Sequence, residues 1–386
     1  MNIMDHLPTD LGRAALIGRI LTEAGPSPIA VIGENVFDCS GIAPTVSALL
    51  EPVNPGQGRG RSLGPVSEFD FASQPLLSPI DLQCIKAAGV TFAASMIERV
   101  IEERARGDAS KATELRHTIE TRIGAKLGGE LGTVVPGSDT AFWLKDVLIA
   151  EGLWSQYLEV AIGPDAEIFT KAPVLASVGH SAEIGVRSDS HWNNPEPEIV
   201  LVCNSAGAII GATLGNDVNL RDFEGRSALL LGKGKDNNAS CAIGPFIRLF
   251  DEHFSLDDLL DAELSLTIRG EDGFYLEETG SMRAISRSPR ELVRQTMSEH
   301  DYPDGFALFL GTMFAPTQDR DAPGMGFTHK EGDCVRISSA RLGMLENRVT
   351  SSAKAPRWRF GITQLMANLA ERGLLASPAP SPLSAI

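Results

Sequence analysis

Cysteine is scarce in this sequence, and its cysteines do not pair at short spacing. No two of the five form a C-x-x-C motif, and they are scattered at Cys39, Cys84, Cys203, Cys241 and Cys334. We therefore expect free thiols, most of them buried, in a reducing compartment rather than a disulfide scaffold. Histidine and cysteine also never occur at the spacing of a zinc site.

Positive charge is scarce as well. The chain carries 34 lysines and arginines against 50 aspartates and glutamates, a formal net charge of −16. Nucleic acid and anionic membranes both require a basic face, so neither is expected as a partner. The segment LLLGKGKDNNAS lacks the spacing of a Walker A loop, which argues against a phosphate cradle. An acidic protein that handles a small anion must concentrate positive charge locally or recruit a metal ion.

Long apolar segments are missing too. The longest uncharged stretch begins at Ile199 and ends at Asp217, and Cys-Asn-Ser-Ala-Gly interrupts it. This pattern predicts two strands and a turn rather than a membrane span. The N-terminal segment carries an early acidic residue and no uninterrupted apolar run, so we expect no secretory signal and a cytoplasmic location.

The chain is long enough for a large core, and the change in sequence pattern along it predicts two domains. Residues 1–76 alternate short apolar runs such as IAVIG and NVFDCS with Pro/Gly-rich loops, which indicates a small N-terminal β-domain. Residues 77–386 would form the catalytic domain. It would include a helical insert over about residues 95–155 and a disordered Pro/Ser/Ala-rich tail over about 376–386.

Helices are predicted by apolar periodicity and by start signals. In SMIERVIEERARGD the residues Met96, Ile97, Val100 and Ile101 recur at the helical period, and the charges are expected to form a solvated face. The segment SKATELRHTIETRIGAKLGGEL shows the same mixture of apolar and charged residues and is also predicted to be helical. A later helix is indicated by Ser288, an N-cap followed by a proline and then by a glutamate at the third helical position.

Beyond about residue 157 the pattern changes to strands. EIVLVCN and AIIGATL, joined by SAG, are predicted to form one hairpin, and ELSLTIRG and FYLEE form another around EDG. Two further strands are expected in GFALFLGT and DCVRISS. The fold class is therefore α+β and rich in strands.

Carboxylates gather around the first of these hairpins. Glu196 and Glu198 flank a proline at the start of a strand, and positions i and i+2 of an extended chain point to the same face. Asp217 follows the next strand, so three hard oxygen ligands can meet, as Mg²⁺ requires. A solvated strand end is the alternative for the glutamate pair. Lys233 and Lys235 are either a pair of surface lysines or include one that faces the substrate of the metal as a base.

These motifs together resemble the fumarylacetoacetate hydrolase superfamily. Four blocks occur in its order over roughly residues 77–350: the ExE pair, NDVNLRD, a GK ahead of a GP, and a late GT to LENRV run. The resemblance implies a catalytic domain of the mixed β-roll or barrel type, with Glu196, Glu198 and Asp217 as the metal ligands. It also implies that Lys235 is the active-site lysine and that Thr312 contacts the substrate.

One block departs from that family's pattern. Hydrolases and decarboxylases of the family that this chain resembles carry a G-x-N-Y-x-x-H-x-x-E segment. The His-Glu pair of that segment is expected to activate water. The corresponding segment here is GVTFAASMIE, which has Ser95 in place of the histidine and keeps Glu98. A serine cannot act as the usual general base near neutral pH, so hydrolysis loses support. The same S-x-x-E is also the signature of a capping box, and the two roles do not exclude each other.

The chain length, the insert and the phrase SQYLEVAIGPDAEIFTKAP resemble a narrower branch, the dehydratases of 2-keto-3-deoxy-D-pentonates. This implies a hydro-lyase of pentose breakdown that forms 2,5-dioxopentanoate with Mg²⁺, or with Mn²⁺, as a Lewis acid. In this interpretation Lys235 removes the C3 proton and Glu98 protonates the departing C4 hydroxyl. Ser95 is included among the candidate catalytic residues.

Other predictions concern the surroundings of the site and the alternatives for function. Lys171 in FTKAP and Asn216 are predicted to contact the substrate, although a surface position for Lys171 is equally open. Arg221 and Asp222 are expected to form an ion pair that orients the Asp217 loop. The alternatives are a C–C hydrolase of a 2,4-diketo acid and a non-catalytic protein that binds a small acid. The resemblance implies a homodimer or a dimer of dimers.

Overall fold

The computed structural model describes residues 3–51, 60–112, 114–115, 134–150, 152 and 154–375. The strands in these ranges are Ala15–Thr22 (β1), Gly25–Ile32 (β2), Asn35–Asp38 (β3), Arg61–Pro65 (β4), Cys84–Gly89 (β5), Glu167–Ala172 (β6), Glu183–Val186 (β7), Asn193–Asn194 (β8), Pro197–Cys203 (β9), Ile209–Asp217 (β10), Asn219–Leu220 (β11), Cys241–Leu249 (β12), Glu263–Arg269 (β13), Tyr275–Ser281 (β14), Phe306–Phe309 (β15), Cys334–Ser339 (β16) and Gly343–Ser351 (β17). The α-helices are Val46–Leu50 (α1), Ala93–Ala105 (α2), Asp139–Ala150 (α3), Gln156–Ile162 (α4), Arg221–Glu224 (α5), Leu231–Lys235 (α6), Leu256–Leu260 (α7), Pro289–Met297 (α8) and Ile362–Glu371 (α9). Most of the helix predicted in SKATELRHTIETRIGAKLGGEL and the tail over 376–386 lie outside the described residues.

Two large sheets form the framework. The first has ten strands in the order β4-β3-β2-β1-β12-β10-β9-β15-β5-β6, and the second has five in the order β14-β13-β16-β17-β7. Both sheets are mixed, because β15 pairs in parallel with β5 and β17 in parallel with β7, whereas the other ladders are antiparallel. The strand-rich α+β class predicted from the sequence is confirmed.

The first predicted hairpin lies at the centre of the large sheet. Every residue of β9 is buried, as expected for a strand written as a nearly continuous apolar run. Its partner β10 returns antiparallel, with Leu214 opposite Ile199, so this hairpin is confirmed. The second hairpin, β13 with β14, and the strands predicted in GFALFLGT and DCVRISS, β15 and β16, are confirmed as well.

The large sheet curls strongly between β10 and β6. Three strands separate these two in the order of the sheet, so a flat sheet would hold them about 19 Å apart. Lys171 of β6 nevertheless meets Asp217 of β10, with Nζ 2.8 Å from Oδ1. Only a roll of the sheet brings the two side chains together, and the interior of that roll holds the candidate site.

The main core lies between the two sheets. It includes Ile199 and Leu201 of β9, Leu266 of β13 and Ile337 of β16, each with an exposure of 1% or less. Burying each such side chain stabilises the fold by about 1.5–3 kcal/mol, so the hairpin that carries the candidate ligands has a rigid base.

The N-terminal strands continue the same large sheet. The predicted strands in IAVIG and NVFDCS are confirmed as parts of β2 and β3. Strand β1 pairs with β12, with Ile17 opposite Ile247, so one ladder crosses the predicted boundary at residue 76. The division into domains 1–76 and 77–386 stays a prediction.

Helix α2 corrects two predictions. It begins at Ala93 with Phe92 as its N-cap, and Ser95 lies inside it, where its Oγ donates to the Phe92 carbonyl at 2.9 Å. The predicted capping box at Ser95 is therefore wrong. The solvated charged face is wrong in part, because Arg99 is 9% exposed and Glu102 only 2%. Later in the chain, α8 begins at Pro289 with Ser288 as its N-cap, as predicted, although the Ser288 side chain makes no capping hydrogen bond.

The prediction of free and mostly buried thiols is confirmed, whereas the reducing compartment stays a prediction. All five cysteines are free, and three of them, Cys39, Cys203 and Cys241, are buried. Among the described residues, the helices are all too short or too polar to cross a bilayer.

Candidate metal centre and active site

Three carboxylates converge at one end of the central hairpin. Glu196 immediately precedes β9, Glu198 lies within it, and Asp217 ends β10. The ladder fixes their relation, because Glu198 faces Gly215 and the Asp217 amide donates to the Glu196 carbonyl at 3.0 Å. One oxygen from each carboxylate lies within 4.8 Å of the others, and all three residues are buried. The fold therefore brings together the three residues that were predicted from the sequence as metal ligands.

A protein donor holds one oxygen of each carboxylate. Nη2 of Arg99 lies 2.6 Å from Oε1 of Glu196. The backbone amide of Gly311 donates to Oε2 of Glu198 at 2.7 Å. Lys171, on β6, approaches Oδ1 of Asp217 to 2.8 Å. The second oxygens of Glu196 and Asp217 face a common centre.

The ammonium of Lys235 stands at that centre. Lys235 ends α6, and its Nζ donates to Oε2 of Glu196 and lies 3.1 Å from Oδ2 of Asp217 and 3.7 Å from Oε1 of Glu224. Burial opposes the charge of this ammonium, but Asp217, Glu196 and Glu224 outweigh burial and raise its pKa. A cation is thus already stabilised on the oxygens that a metal ion would use.

Arg99 and Lys235 share two carboxylates in a closed ring. Glu196 gives Oε1 to Arg99 and Oε2 to Lys235, and Glu224 likewise faces Arg99 with Oε2, at 2.8 Å, and Lys235 with Oε1. Arg99 also holds Glu102 at 2.8 Å. Each charge has opposite charges beside it, which offsets part of the large cost of burial.

The predicted ion pair between Arg221 and Asp222 is wrong. Arg221 turns inward, where its Nε lies 3.2 Å from Glu102 and donates to Asn194 at 2.7 Å. Asp222 instead accepts from the Ser190 hydroxyl at 2.8 Å and from a backbone amide. Adjacent residues of a helix point in different directions, so a neighbouring charge in the sequence need not be a partner.

A small cavity of about 30 Å³ opens onto the carboxylates. Its wall combines the charged cluster with apolar side chains, and the residues that line it are Ala88, Gly89, Val90, Ser95, Arg99, Tyr157, Glu167, Phe169, Glu196, Glu198, Asp217, Glu224, Ala228, Leu231, Lys235 and Thr312. Five carboxyl groups thus face two cations in the lining. This imbalance favours an additional positive ion, and oxygen donors suit Mg²⁺ or Mn²⁺.

Other residues predicted for the site have different positions. Thr312 lines the cavity and donates its hydroxyl to the Phe314 carbonyl at 2.7 Å. Lys171 is fully buried and reaches Asp217 and the backbone carbonyl of Lys235, which favours a positioning role. Asn216 accepts from the Glu196 amide at 3.2 Å. Glu98, like Lys171 and Asn216, is described but lies outside the lining.

Sequence reasoning missed several buried polar residues of the site. Arg99 and Glu102, which were missed, follow the predicted Ser95 at i+4 and i+7, and the three residues form a polar stripe on one face of α2. Glu167 and Phe169 are two positions apart in β6, so their side chains lie on the same face of the strand and both line the cavity. The spacing of these residues in the sequence could have indicated that they line the site. Tyr157 and Glu224, in contrast, are brought to the site by tertiary packing.

Burial dominates the protonation of three acids at the site. It raises the pKa of Glu167, despite the neighbouring Arg99 and Lys235, so this carboxyl holds its proton to higher pH. Burial likewise raises the pKa of Glu224 to about 7. For Glu198, burial and the adjacent Asp217 and Glu196 raise the pKa well above its ordinary value. A bound dication would offset that repulsion, so the carboxylate set fits a metal ion.

Three comparisons with known proteins bear on this site. The chain is 33% identical over 188 residues to the 2-dehydro-3-deoxy-D-arabinonate dehydratase of Saccharolobus solfataricus, a match that covers 49% of this chain and 60% of that protein. It therefore spans less than two thirds of that relative's length. It is 28% identical over 268 residues to the probable 2-keto-3-deoxyxylonate dehydratase of Haloferax volcanii, covering 64% and 88% of the two chains.

The fold has a counterpart among solved structures. The structure of 2-keto-3-deoxy-D-arabinonate dehydratase complexed with magnesium and 2,5-dioxopentanoate aligns with a TM-score of 0.59 at 21% identity. That alignment covers 87% of this chain and 99% of the other. The sequence profile described as fumarylacetoacetate (FAA) hydrolase C-terminal matches residues 158–350, which is half of the chain. This matched range contains the converging carboxylates, Lys235 and Thr312, and the chain therefore belongs to the fumarylacetoacetate hydrolase family.

Proposed function

We propose that this protein is a Mg²⁺-dependent dehydratase that converts a 2-keto-3-deoxy-D-pentonate to 2,5-dioxopentanoate. The observation that carries the proposal is the buried cluster of Glu196, Glu198 and Asp217, in which Lys235 contacts oxygens of the first and the last. The names of the two sequence relatives point to the same reaction class. So does the product bound with magnesium in the structural neighbour.

The three carboxylates would hold the ion at the base of the cavity. Mg²⁺ bound there would supply a Lewis acid for the carboxylate and carbonyl oxygens of a 2-oxo acid, which makes the C3 proton more acidic. Mn²⁺ is the natural substitute, since it accepts the same oxygen ligands.

Lys235 is the base that we assign to the C3 proton. Glu196 and Asp217 cannot give the same oxygens both to the Lys235 ammonium and to a metal ion. Ion binding would therefore remove two of the charges that raise the pKa of Lys235, and Glu224 would remain beside it. A neutral amine, desolvated and close to the substrate, is then available.

Glu167 is the acid that we assign to the departing C4 hydroxyl. The sequence suggested Glu98 for this role, but Glu167 lines the cavity, whereas Glu98 lies outside its lining. Because burial raises the pKa of Glu167, the carboxyl is protonated over a wider pH range than an exposed glutamate. Loss of water followed by tautomerisation gives the terminal aldehyde.

The hydrolase alternative receives less support from the site. Ser95 stands where the hydrolases carry their histidine, and its hydroxyl donates to the Phe92 carbonyl within the same helix. It therefore cannot deprotonate water. Elimination needs no water nucleophile, so the residues around the cavity suit dehydration better.

The proposal is tested by following the aldehyde product. Purified protein is incubated with D-2-keto-3-deoxy-pentonates and Mg²⁺, and 2,5-dioxopentanoate is trapped and quantified. We expect turnover that is lost with a chelator, restored by Mg²⁺ and abolished in Glu198→Gln. Absence of this product, before and after metal restoration, contradicts the proposal. Saturable binding of the acid without turnover would favour a non-catalytic protein.

The assembly and location remain predictions. We propose a homodimer or a dimer of dimers in the cytoplasm, and light scattering of the purified protein would distinguish these two assemblies from a monomer. A small-molecule substrate, rather than nucleic acid or a membrane, is consistent with the acidic composition.

A further inference from the structure

The cavity has a deep end and a mouth. The deep end holds residues that are only 2–3% exposed, namely Glu196, Glu198, Asp217 and Lys235. The mouth is formed by the lining residues that reach the protein surface, which are Gly89, Glu167, Phe169, Ala228 and Leu231. A 2-oxo acid that binds an ion at the deep end through its carboxylate and carbonyl must therefore direct the far end of its carbon chain to the mouth.

Helix α6 places Leu231 beside the proposed base. Leu231 and Lys235 are the first and last residues of α6, so they are four positions apart and their side chains share one face of the helical turn. The carbonyl of Lys235 accepts from the Ser240 hydroxyl at 2.8 Å. The side-chain amide of Asn237 donates to the carbonyl of Lys233 at 2.9 Å. These contacts fix the end of α6, so Leu231 is held between the base and the solvent.

Phe169 is the second large apolar side chain of the mouth. It lies on β6 two positions after Glu167 and on the same face of the strand. The Nζ atom of Lys235 is 6.0 Å from the centre of its ring. Phe169 also packs against a buried core cluster, which restricts its movement. The far end of a bound chain therefore meets one apolar side chain that is anchored in the core, Phe169, and one on a short surface helix, Leu231.

The cavity has little spare room for a long chain. Its volume of about 30 Å³ holds about two water molecules. Sites for small molecules usually enclose about 300–1,000 Å³. A bound acid must therefore displace side chains at the mouth, and each added carbon displaces more of them. Leu231 is the obstacle to a longer chain, because Phe169 is anchored in the core and Ala228 is small.

We propose that Leu231 is the specificity-determining residue for the chain length of the substrate. Its side chain at the mouth admits a 2-oxo acid of the length of a pentonate and excludes longer acids. The inference rests on the proposed function for the orientation of the 2-oxo acid at a metal ion. It concerns binding, and it does not depend on which bond the protein breaks.

The test measures how the affinity for unbranched 2-oxo acids depends on their length. Dissociation constants of pyruvate, 2-oxobutanoate, 2-oxopentanoate, 2-oxohexanoate and 2-oxoheptanoate are determined by isothermal titration calorimetry with the Mg²⁺-loaded full-length protein. For wild type we expect Kd to fall about fourfold for each methylene up to 2-oxopentanoate, as burial of apolar surface predicts. Beyond this length Kd should rise. The ratio Kd(2-oxoheptanoate)/Kd(2-oxopentanoate) measures the obstruction.

Three variants assign the obstruction to one side chain. Leu231→Ala should lower the ratio at least about 10-fold, the usual lower size of an effect when a pocket excludes or admits one methylene. Ala228→Leu narrows the same mouth and should weaken 2-oxopentanoate relative to pyruvate by a similar factor. Leu229→Ala is the matched control, because Leu229 is 95% exposed and lies outside the cavity lining, so its ratio should equal that of wild type.

Several outcomes overturn the inference. They are an unchanged ratio in Leu231→Ala, an equal shift in Leu229→Ala, and a wild-type Kd that keeps falling to 2-oxoheptanoate. If Leu231→Ala does not fold, as judged by circular dichroism, an unaltered preference for 2-oxopentanoate over pyruvate in Ala228→Leu overturns it instead. A protein with the predicted ratios but no dehydratase activity would retain this inference and lose the proposed function. Dehydration of a pentonate with an unchanged ratio in Leu231→Ala would do the reverse.

Discussion

Lys171 and Asp217 meet in the interior of the rolled sheet, with Nζ of the lysine 2.8 Å from Oδ1 of the aspartate. The exposure of their side chains is 0% and 3%. Strand β6 supplies the lysine and β10 the aspartate, so this pair joins two strands that are distant in the order of the sheet. The same contact that supports the roll also orients a candidate metal ligand.

Removal of Lys171 should destabilise the protein. Lys171→Met leaves Asp217 with fewer counter-charges in a buried position, and breaking a buried pair in this way costs about 3 kcal/mol. Urea unfolding in the presence of a chelator measures the change in the free energy of unfolding. Lys354→Met is the control, since the Lys354 side chain is 67% exposed and its pair is expected to contribute less than about 1 kcal/mol. Equal stability of the two variants would contradict this assignment.

Two neighbouring lysines should differ sharply in activity. Lys235 contacts oxygens of Glu196 and Asp217, whereas Lys233 is exposed and lies two residues earlier. We expect Lys235→Met to lower kcat at least about 10²-fold through loss of the base, and Lys233→Met to stay within about twofold of wild type. Steady-state kinetics at saturating Mg²⁺ measure both. Retention of more than a tenth of kcat in Lys235→Met would remove the lysine from the chemistry.

The proton donor can be identified by two matched variants. Glu167→Gln removes the buried carboxyl in the cavity, and we expect kcat to fall about 10²–10⁴-fold because a general acid contributes that much. Its Kd for Mn²⁺ should stay near the wild-type value, since Glu167 lies outside the ligand cluster. Glu98→Gln should be much less affected. The reverse order of the two kcat values would return the role to Glu98, as the sequence first suggested.

Glu224 should give the stability of the metal-free protein a pH dependence. Burial raises its pKa from 4.5 to about 7. The folded state thus binds this proton more tightly than the unfolded chain, and the stabilisation is complete below about pH 4.5 and is lost as the pH rises to about 7.

The side chain in Glu224→Gln is neutral throughout this range, so the variant lacks the pH-dependent stabilisation that Glu224 provides. The free energy of unfolding of wild type, relative to the variant, should therefore fall by about 3 kcal/mol between pH 4.5 and 7. Urea titrations of both proteins with a chelator, at several pH values, provide the measurement. A difference that does not change with pH would show that Glu224 is ionised over the whole range.

The local sequence predicted much of the fold. Alternating or continuous apolar runs identified the hairpin of β9 and β10 and that of β13 and β14, because strand burial leaves a direct pattern in the residues. The carboxylates Glu196, Glu198 and Asp217 were found by the same reasoning, since the hairpin register follows from the positions of its strands. The roll that brings Lys171 to Asp217 leaves no local pattern.

The remaining errors arise where tertiary contacts override local signals. The charges of α2 have the composition of a solvated face, but Arg99 and Glu102 are buried because other elements supply their partners, Glu196, Glu224 and Arg221. A capping box at Ser95 was plausible from its S-x-x-E pattern, but the helix starts two residues earlier. Glu167 was overlooked because a single acidic residue in a strand carries no motif.

Product mass on a panel of D- and L-2-keto-3-deoxy acids tests the central claim most directly. The protein is incubated with Mg²⁺ and each acid, or with an acylpyruvate, and the masses of the products are measured by mass spectrometry. Dehydration predicts a product lighter than its substrate by one water, identified as 2,5-dioxopentanoate for a D-pentonate. Cleavage products whose summed mass exceeds that of a substrate by one water, from these acids or from an acylpyruvate, would contradict the account and identify a hydrolase.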